Sequence, residues 1–119
     1  MARVKRGVAA HKRHKRLLRQ AEGRRGTRSK LVRPAREALF HALVYAYRDR
    51  RTRKRDMRRL WIERINAASR AHGVPYGRLM AGLKASGVKV NRKNLADLAV
   101  RDGAAFAKIV ETAKSSFSH

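Results

Sequence analysis

The chain has 119 residues, of which 32 are Lys or Arg and 8 are Asp or Glu, for a formal net charge of +24. Its length allows one ordinary domain at most, and its charge predicts a large polyanionic partner whose binding weakens as salt rises. It has no cysteine, which excludes disulfides and thiolate metal sites, and its apolar runs are far shorter than the roughly 20 residues of a membrane span.

The first 30 residues are predicted to form a basic arm. They contain four sizeable apolar side chains and three glycines, which is too little to bury a core. Residues 9–20 could form a short helix, although like charges at close spacing oppose it. We therefore expect residues 1–30 to be disordered in the free protein and to become ordered on their target.

One long helix is predicted after the arm. Pro34 suits the first turn of a helix, where its missing N–H has no partner to lose, and no Pro or Gly interrupts residues 34–72. Gly73 and Pro75 then supply the stop signal. If straight, such a helix would span about 58 Å.

The middle of this helix, residues 48–59, reads RDRRTRKRDMRR and carries eight basic residues and two acids. On a helix the basic side chains cover about two-thirds of the circumference, so this segment cannot lie on an apolar core of its own. Phosphate is the obvious counter-charge, and a merely solvated charge run is the alternative. We expect Asp49 and Asp56 to turn away from the nearest phosphates or to pair with a neighbouring Arg, as the spacing of Asp49 to Arg53 allows.

The end of the long helix is amphipathic. Met57, Trp61, Ile65 and Ala68 fall on one face, which we expect to face the core, and core packing of Trp61 and Ile65 is favoured over base stacking. Asn66 lies on the opposite face, where contact with RNA and hydrogen bonding to a neighbouring loop are equally open.

The remaining sequence predicts three short helices. The first carries Tyr76 and Leu79 and ends near Gly87, while Asn91 and Asp102 are suitable N-caps for the second and third. The sequence therefore predicts an all-α fold, in which a basic N-terminal arm and one long helix lead into a small C-terminal helical domain. We divide it into a basic extension, residues 1–59, and a compact helical domain, residues 60–119.

Catalysis and metal binding have little support. His11 and His14 are three residues apart, but Lys and Arg surround them, and phosphate contact is their ordinary alternative to metal binding. The acids form no acid–base dyad, and no Gly-rich phosphate loop is present. We expect no enzymatic activity and no cofactor.

The run KRDMRRLWIERINAA, from Lys54 to Ala68, closely resembles the signature of the bacterial large-subunit ribosomal protein twenty family. The similarity extends upstream through RGTRSKLVRPAREALFHALVYAYRDRR and downstream through YGRLMAGLKASGVKVNRKNLADLAVRDGAAFAKIV, although Met57 stands where an aromatic residue is common in the family.

The resemblance implies a cytoplasmic ribosomal protein with a basic extension threaded into 23S ribosomal RNA and a small helical domain on the RNA surface. It implies an early role in assembly of the large subunit, neighbouring large-subunit ribosomal proteins as partners, and no homo-oligomer in the ribosome. In some bacteria the C-terminal domain of the family also represses translation of its own operon by binding its mRNA.

Three groups of residues are expected to contact RNA. Those in the arm are Lys12, Arg13, Lys15, Arg16, Arg24, Arg25 and Arg28. Those in the basic block are Arg48, Arg50, Arg51, Arg53, Lys54, Arg55, Arg58 and Arg59. Those in the C-terminal part are Asn66, Arg92 and Lys93; the last two begin a helix, whose N-terminus favours anions, and are as readily read as solvated first-turn residues.

Three other classes of protein remain as alternatives. A nucleoid-type DNA organiser would share the charge and would bind duplex DNA more tightly than RNA. A cationic membrane-active protein needs one continuous apolar helix face, which the basic block interrupts. An enzyme acting on nucleic acid needs a catalytic constellation that the sequence lacks.

Overall fold

The structure, a computed structural model, describes residue 3 and residues 5–117. Its elements in this part of the chain are five α-helices and one short 3-10 turn, without a strand, which confirms the all-α prediction. The helices are α1 (Gly7–Gln20), α2 (Val32–Ala71), α3 (Tyr76–Ala85), α4 (Arg92–Arg101) and α5 (Gly103–Ser115), and the 3-10 turn is Gly26–Ser29.

The chain divides into two compact units, Met1–Arg51 and Thr52–His119. The sequence-based division between residues 59 and 60 separates basic sequence from core-forming sequence and stays a prediction. Helix α2 contributes residues to both units, so the boundary between them falls within a continuous helix.

The first unit buries few side chains. Helix α1 has no buried residue, and the buried apolar residues of this unit are Ala21, Ala35 and Leu39. The expectation that residues 1–30 are disordered in the free protein stays a prediction, and Met1, Ala2 and Val4 lie outside the described residues. Few apolar side chains therefore stabilise the first unit by burial.

Helix α2 begins and ends close to the predicted positions. It starts at Val32, so Pro34 lies in the first turn, and it ends at Ala71. Gly73 takes a left-handed φ of 77°, its N–H donates to the carbonyl oxygen of Arg70 at 2.9 Å, and the N–H of Val74 donates to that of Ser69 at 3.0 Å. This pair of bonds satisfies two of the last carbonyl groups of the helix and turns the chain towards α3.

The second unit is built around one apolar core. Ile65 from α2, Leu79 from α3, Leu95 from α4 and Phe106 from α5 are almost completely buried there, and Trp61 packs against them while partly exposed. Core packing of Ile65, Trp61 and Ala68 is therefore confirmed.

The prediction that Met57 shares this core face is wrong. Its side chain is 40% exposed and it is absent from the core cluster. Met57 lies one helical turn before Trp61, the first residue of α2 that packs against the core. A helical wheel gives the direction of a side chain but not the length of helix that a neighbour covers.

Both predicted N-caps are confirmed. The Oδ1 atom of Asn91 accepts a hydrogen bond from the N–H of Asn94 at 2.8 Å, and that of Asp102 accepts one from the N–H of Ala105 at 3.0 Å. The side chains thus pair N–H groups in the first turns of α4 and α5, which have no partner within their helices.

Helices α3 and α5 approach each other closely at Gly82. A Cβ atom placed on Gly82 would lie 2.5 Å from the carbonyl oxygen of Ala113 and 2.9 Å from Cε2 of Phe117. The hydroxyl of Ser116 also donates to the carbonyl oxygen of Gly82 at 3.3 Å. Glycine is therefore required at this crossing by space, although its backbone is helical.

Candidate nucleic-acid-binding surfaces

The basic block, residues 48–59, is fully helical, and its eight Lys and Arg side chains are all exposed. The block lies in the middle of α2 and includes no buried residue. The predicted contact residues of this block are therefore presented on a regular scaffold. A polyanion can reach them without any change in the core.

Asp49 neutralises part of this block locally. Its Oδ1 atom accepts a hydrogen bond from Nε of Arg48 at 2.9 Å, so Asp49 pairs with a neighbouring Arg as predicted, and that partner is Arg48 instead of Arg53. Arg48 is next to Asp49 in the sequence, and its guanidinium group hydrogen-bonds the carboxylate. This hydrogen bond, together with the charge of Asp49, raises the pKa of Arg48 above its ordinary value, so Arg48 stays a cation.

Two tyrosines place guanidinium groups over their rings at the start of the basic block. The Cζ atom of Arg48 lies 4.7 Å from the ring centroid of Tyr45, and that of Arg51 lies 4.1 Å from the ring centroid of Tyr47. The sequence carries a signal for these pairs, since each tyrosine stands three or four residues before its arginine. Flat guanidinium groups held in this way can stack on unpaired bases.

The predicted arm residues fall into two sets. Lys12, Arg13, Lys15 and Arg16 are exposed on α1. Arg24, Arg25 and Arg28 precede α2 and are brought together along one cleft beside it. The arm therefore presents four exposed cations on α1 and a separate cluster of three arginines beside α2.

The second unit has a basic groove of its own, of about 520 Å³. Lys84, Lys89 and Arg92 contribute its charges, and Met80 and Val88 contribute apolar wall. Arg92 was predictable as a contact residue from its place at the start of a helix. Lys84 and Lys89 were not, because only the turn after α3 brings these three residues to the same groove.

Arg92 is held in place within this groove. Its side chain is half-buried, and its Nε atom donates a hydrogen bond of 2.8 Å to the hydroxyl of Tyr76. Lys93 is exposed and does not line the groove. Arg92 is therefore oriented before any ligand arrives, whereas Lys93 offers a mobile charge.

Asn66 is engaged within its own helix. Its Oδ1 atom accepts a hydrogen bond of 3.1 Å from Nε of Arg70, one turn further along α2. The carboxamide is half-buried, and this bond supports a buttressing role. Contact with RNA at Asn66 stays a prediction.

The described residues contain neither a metal-binding cluster nor a helix that could span a membrane. No group of three His, Asp or Glu side chains is close enough there to hold a metal ion. None of the helices in that part of the chain combines the length and the apolar character that crossing a membrane requires.

Comparison with known proteins adds an independent observation. A family model described as ribosomal protein L20 matches residues 3–109. A relative from Roseiflexus castenholzii is 65% identical over 114 residues, which cover 96% of this chain and 97% of the relative. One from a second Roseiflexus species is 63% identical, covering 98% and 99%, and one from Chloroflexus aurantiacus is 61% identical, covering 98% of both chains. All three relatives are named large ribosomal subunit protein bL20.

Proposed function

Because the chain belongs to the ribosomal protein L20 family, we propose that it binds 23S ribosomal RNA directly and promotes an early step in assembly of the large subunit. Members of this family are structural, non-enzymatic components of the ribosome in the bacterial cytoplasm. The family resemblance read from the sequence is thereby confirmed, and the proposal concerns the way in which this chain meets RNA.

The exposed basic block carries the proposal. Eight cations on one regular helix would repel each other in the free protein, and phosphates on several sides of the helix would remove that repulsion. Each phosphate neutralised also releases condensed counterions from the RNA, which favours binding at low salt. RNA segments that repel each other could thus be held together around α2.

The C-terminal part of the chain, residues 61–119, supplies position rather than most of the charge. Residues 61–119 contain 10 basic and 4 acidic residues, compared with 22 and 4 in residues 1–60. Their apolar core fixes the basic groove and the hydrogen-bonded Arg92 relative to the end of α2. We propose that this groove sets the place on the RNA surface at which the long helix enters.

Protein neighbours belong to the same proposal. The chain would be present as a single copy, without a homo-oligomer, and would contact other large-subunit proteins. Phe40, Leu43 and Val44 are each more than half exposed on α2 and give it an apolar surface next to the basic block. Contiguous exposed apolar side chains of this kind are typical of surfaces that become covered in assemblies.

A second role, repression of translation by binding of its own mRNA, is also proposed. The second unit has its own core and its own basic groove, so it can present an RNA-binding surface independently of the arm. A messenger that mimics the shape of the ribosomal RNA site would compete for the same groove.

Crosslinking in cells, followed by sequencing of the RNA fragments bound to the tagged protein, tests both roles. We expect crosslinks concentrated at one junction of 23S ribosomal RNA in large-subunit fractions. An added peak on a messenger leader in the ribosome-free fraction would support repression. Crosslinks scattered over many RNAs without enrichment in large subunits would contradict direct and specific 23S binding.

A further inference from the structure

A cleft in the first unit is distinct from the basic block and from the basic groove of the second unit. It has a volume of about 560 Å³, which lies within the range of roughly 300–1,000 Å³ that small-molecule sites occupy. Arg24, Arg25 and Arg28 line it from the chain around the 3-10 turn. Tyr45, His41 and Glu37 line it from α2.

The charge of the cleft favours an anion. It has three guanidinium groups and one carboxylate along its wall. The carboxylate, on Glu37, is directed to its neighbour on α2, with Oε1 3.9 Å from Nε2 of His41. Nη1 of Arg24 donates to the carbonyl oxygen of Gln20 at 3.1 Å, which anchors that side chain while its remaining donors are left for a ligand.

The wall formed by α2 favours a flat aromatic group. The rings of His41 and Tyr45 have centroids 5.9 Å apart, with 37° between their planes. Arg48, which does not line the cleft, covers Tyr45 at 4.7 Å and restrains its ring. Ala38 and Ala42 lie on the same stretch of α2, and their small side chains leave the space open.

We propose that this cleft receives one unpaired nucleotide of RNA. Its phosphate would lie among Arg24, Arg25 and Arg28, and its base would lie along Tyr45 and His41. A free phosphate would use only the guanidinium groups, whereas a nucleotide uses both walls. The inference rests on the proposed RNA-binding function and names the part of the RNA that the first unit holds.

A cleft-filling substitution tests the inference without changing any charge. Ala42→Phe places a large side chain in the cleft, and Ala46→Phe, one turn further along α2, is the matched control because Ala46 does not line it. The measurements are affinity of the full chain for a 23S rRNA transcript from the same organism, and nucleotide-resolution chemical probing of the complex. Circular dichroism verifies that both variants keep their helix content.

We expect Ala42→Phe to weaken binding about tenfold, the effect of losing one stacked base, and to expose one or two nucleotides while the other protections persist. Ala46→Phe should leave those nucleotides protected. Arg28→Gln should expose the same nucleotides, and Arg13→Gln, an equal loss of charge on α1, should not. Ultraviolet crosslinking of the wild-type complex should give a nucleotide adduct on His41 or Tyr45.

Failure of this inference is distinguishable from failure of the proposed function. Wild-type protein that selects 23S rRNA, with the same protected nucleotides in Ala42→Phe as in Ala46→Phe, would overturn the cleft assignment alone. Wild-type protein that does not prefer 23S rRNA to unrelated RNA would overturn the proposed function. Free AMP or UMP that binds the wild type as tightly as RNA, and not Ala42→Phe, would assign the cleft to a free nucleotide and overturn the RNA assignment.

Discussion

The two ends of helix α2 have opposite surroundings although no break separates them. Near its start, Phe40 is 57% exposed and Leu43 is 59% exposed, whereas Ile65 near its end is completely buried. Between them lies the basic block, with every Lys and Arg side chain exposed. The backbone conformation is the same throughout, so the difference arises from what the side chains meet.

Different parts of one helix can therefore be stabilised by different interactions. The end that contains Ile65 is stabilised by burial of apolar surface in the second unit. The beginning and middle have little protein to pack against, and their like charges oppose the helix until a polyanion neutralises them. Substitutions along α2 should therefore act on folding at one end and on RNA binding at the other.

The largest expected effect is at the buried end. Ile65→Ala should lower the free energy of unfolding by about 2–5 kcal/mol, because it removes a completely buried side chain and leaves a cavity. Leu43→Ala, on the exposed part of the same helix, should change it by about 0.5 kcal/mol or less. Urea unfolding followed by circular dichroism and by Trp61 fluorescence measures both.

Equal effects of the two substitutions would break the comparison. They would mean that Leu43 is buried in the free protein or that the core around Ile65 is loose. The second unit has Thr52–His119 as its bounds, a size near the lower limit for an unaided core, so Ile65→Ala could remove most of its stability.

The next largest effect compares two glycines of α3, one at a close helix contact and one with open space around it. Gly82→Ala should destabilise the protein by about 1–3 kcal/mol, because the new methyl group meets the backbone oxygen of Ala113. Gly77→Ala, in the same helix, meets nothing within 4 Å and should stabilise by up to about 1 kcal/mol through helix propensity. Thermal unfolding of the two variants gives the sign. A neutral Gly82→Ala would show that α3 and α5 can move apart at little cost.

The third prediction concerns the exposed middle of α2. Arg53→Gln with Arg55→Gln should weaken 23S rRNA binding by about tenfold or more and reduce the slope of log affinity against log salt by about 1.5, if both contact phosphates. Filter binding over a salt series measures the slope. Arg101→Gln with Lys108→Gln removes the same charge from α4 and α5 and should alter the slope much less.

Folding stability provides the second half of that test. Arg53 and Arg55 lie outside the core, so their double substitution should leave urea unfolding of the free protein almost unchanged. Equal salt slopes for the two double variants would contradict a special role for the basic block and would assign the affinity to net charge alone.

Features with local causes were predictable from sequence. The stop at Gly73, the caps at Asn91 and Asp102 and the burial of Ile65 follow from residue chemistry within one or two helical turns. They need no knowledge of how distant residues meet. The same reasoning failed at Met57, because the end of a core depends on the reach of the elements that cover it.

Features with distant causes were not predictable. Lys84, Lys89 and Arg92 meet in one groove because the chain turns at Gly87, where φ is 71° and the N–H of Val88 bonds to the carbonyl oxygen of Leu83 at 3.0 Å. The meeting of Arg25 with Tyr45 along one cleft likewise depends on the path from α1 to α2. Charge counts selected many of these residues but could not group them into sites.

The smallest expected effect lies at Asp102, where α4 ends and α5 begins. Its N–H donates to the carbonyl oxygen of Leu98 at 2.9 Å, and its carboxylate accepts from the N–H of Ala105 at 3.0 Å. Asp102→Ala keeps the first bond and loses the second, so unfolding free energy should fall by about 1 kcal/mol. Asp102→Asn keeps a side-chain oxygen that can accept the hydrogen bond from Ala105. It also removes a negative charge, which favours the N-terminus of α5 but disfavours the C-terminus of α4, so the two electrostatic effects oppose each other. Asn at this position should therefore restore most of the stability in urea unfolding, while RNA affinity stays unchanged in both variants if the cap acts only on the folding of the second unit.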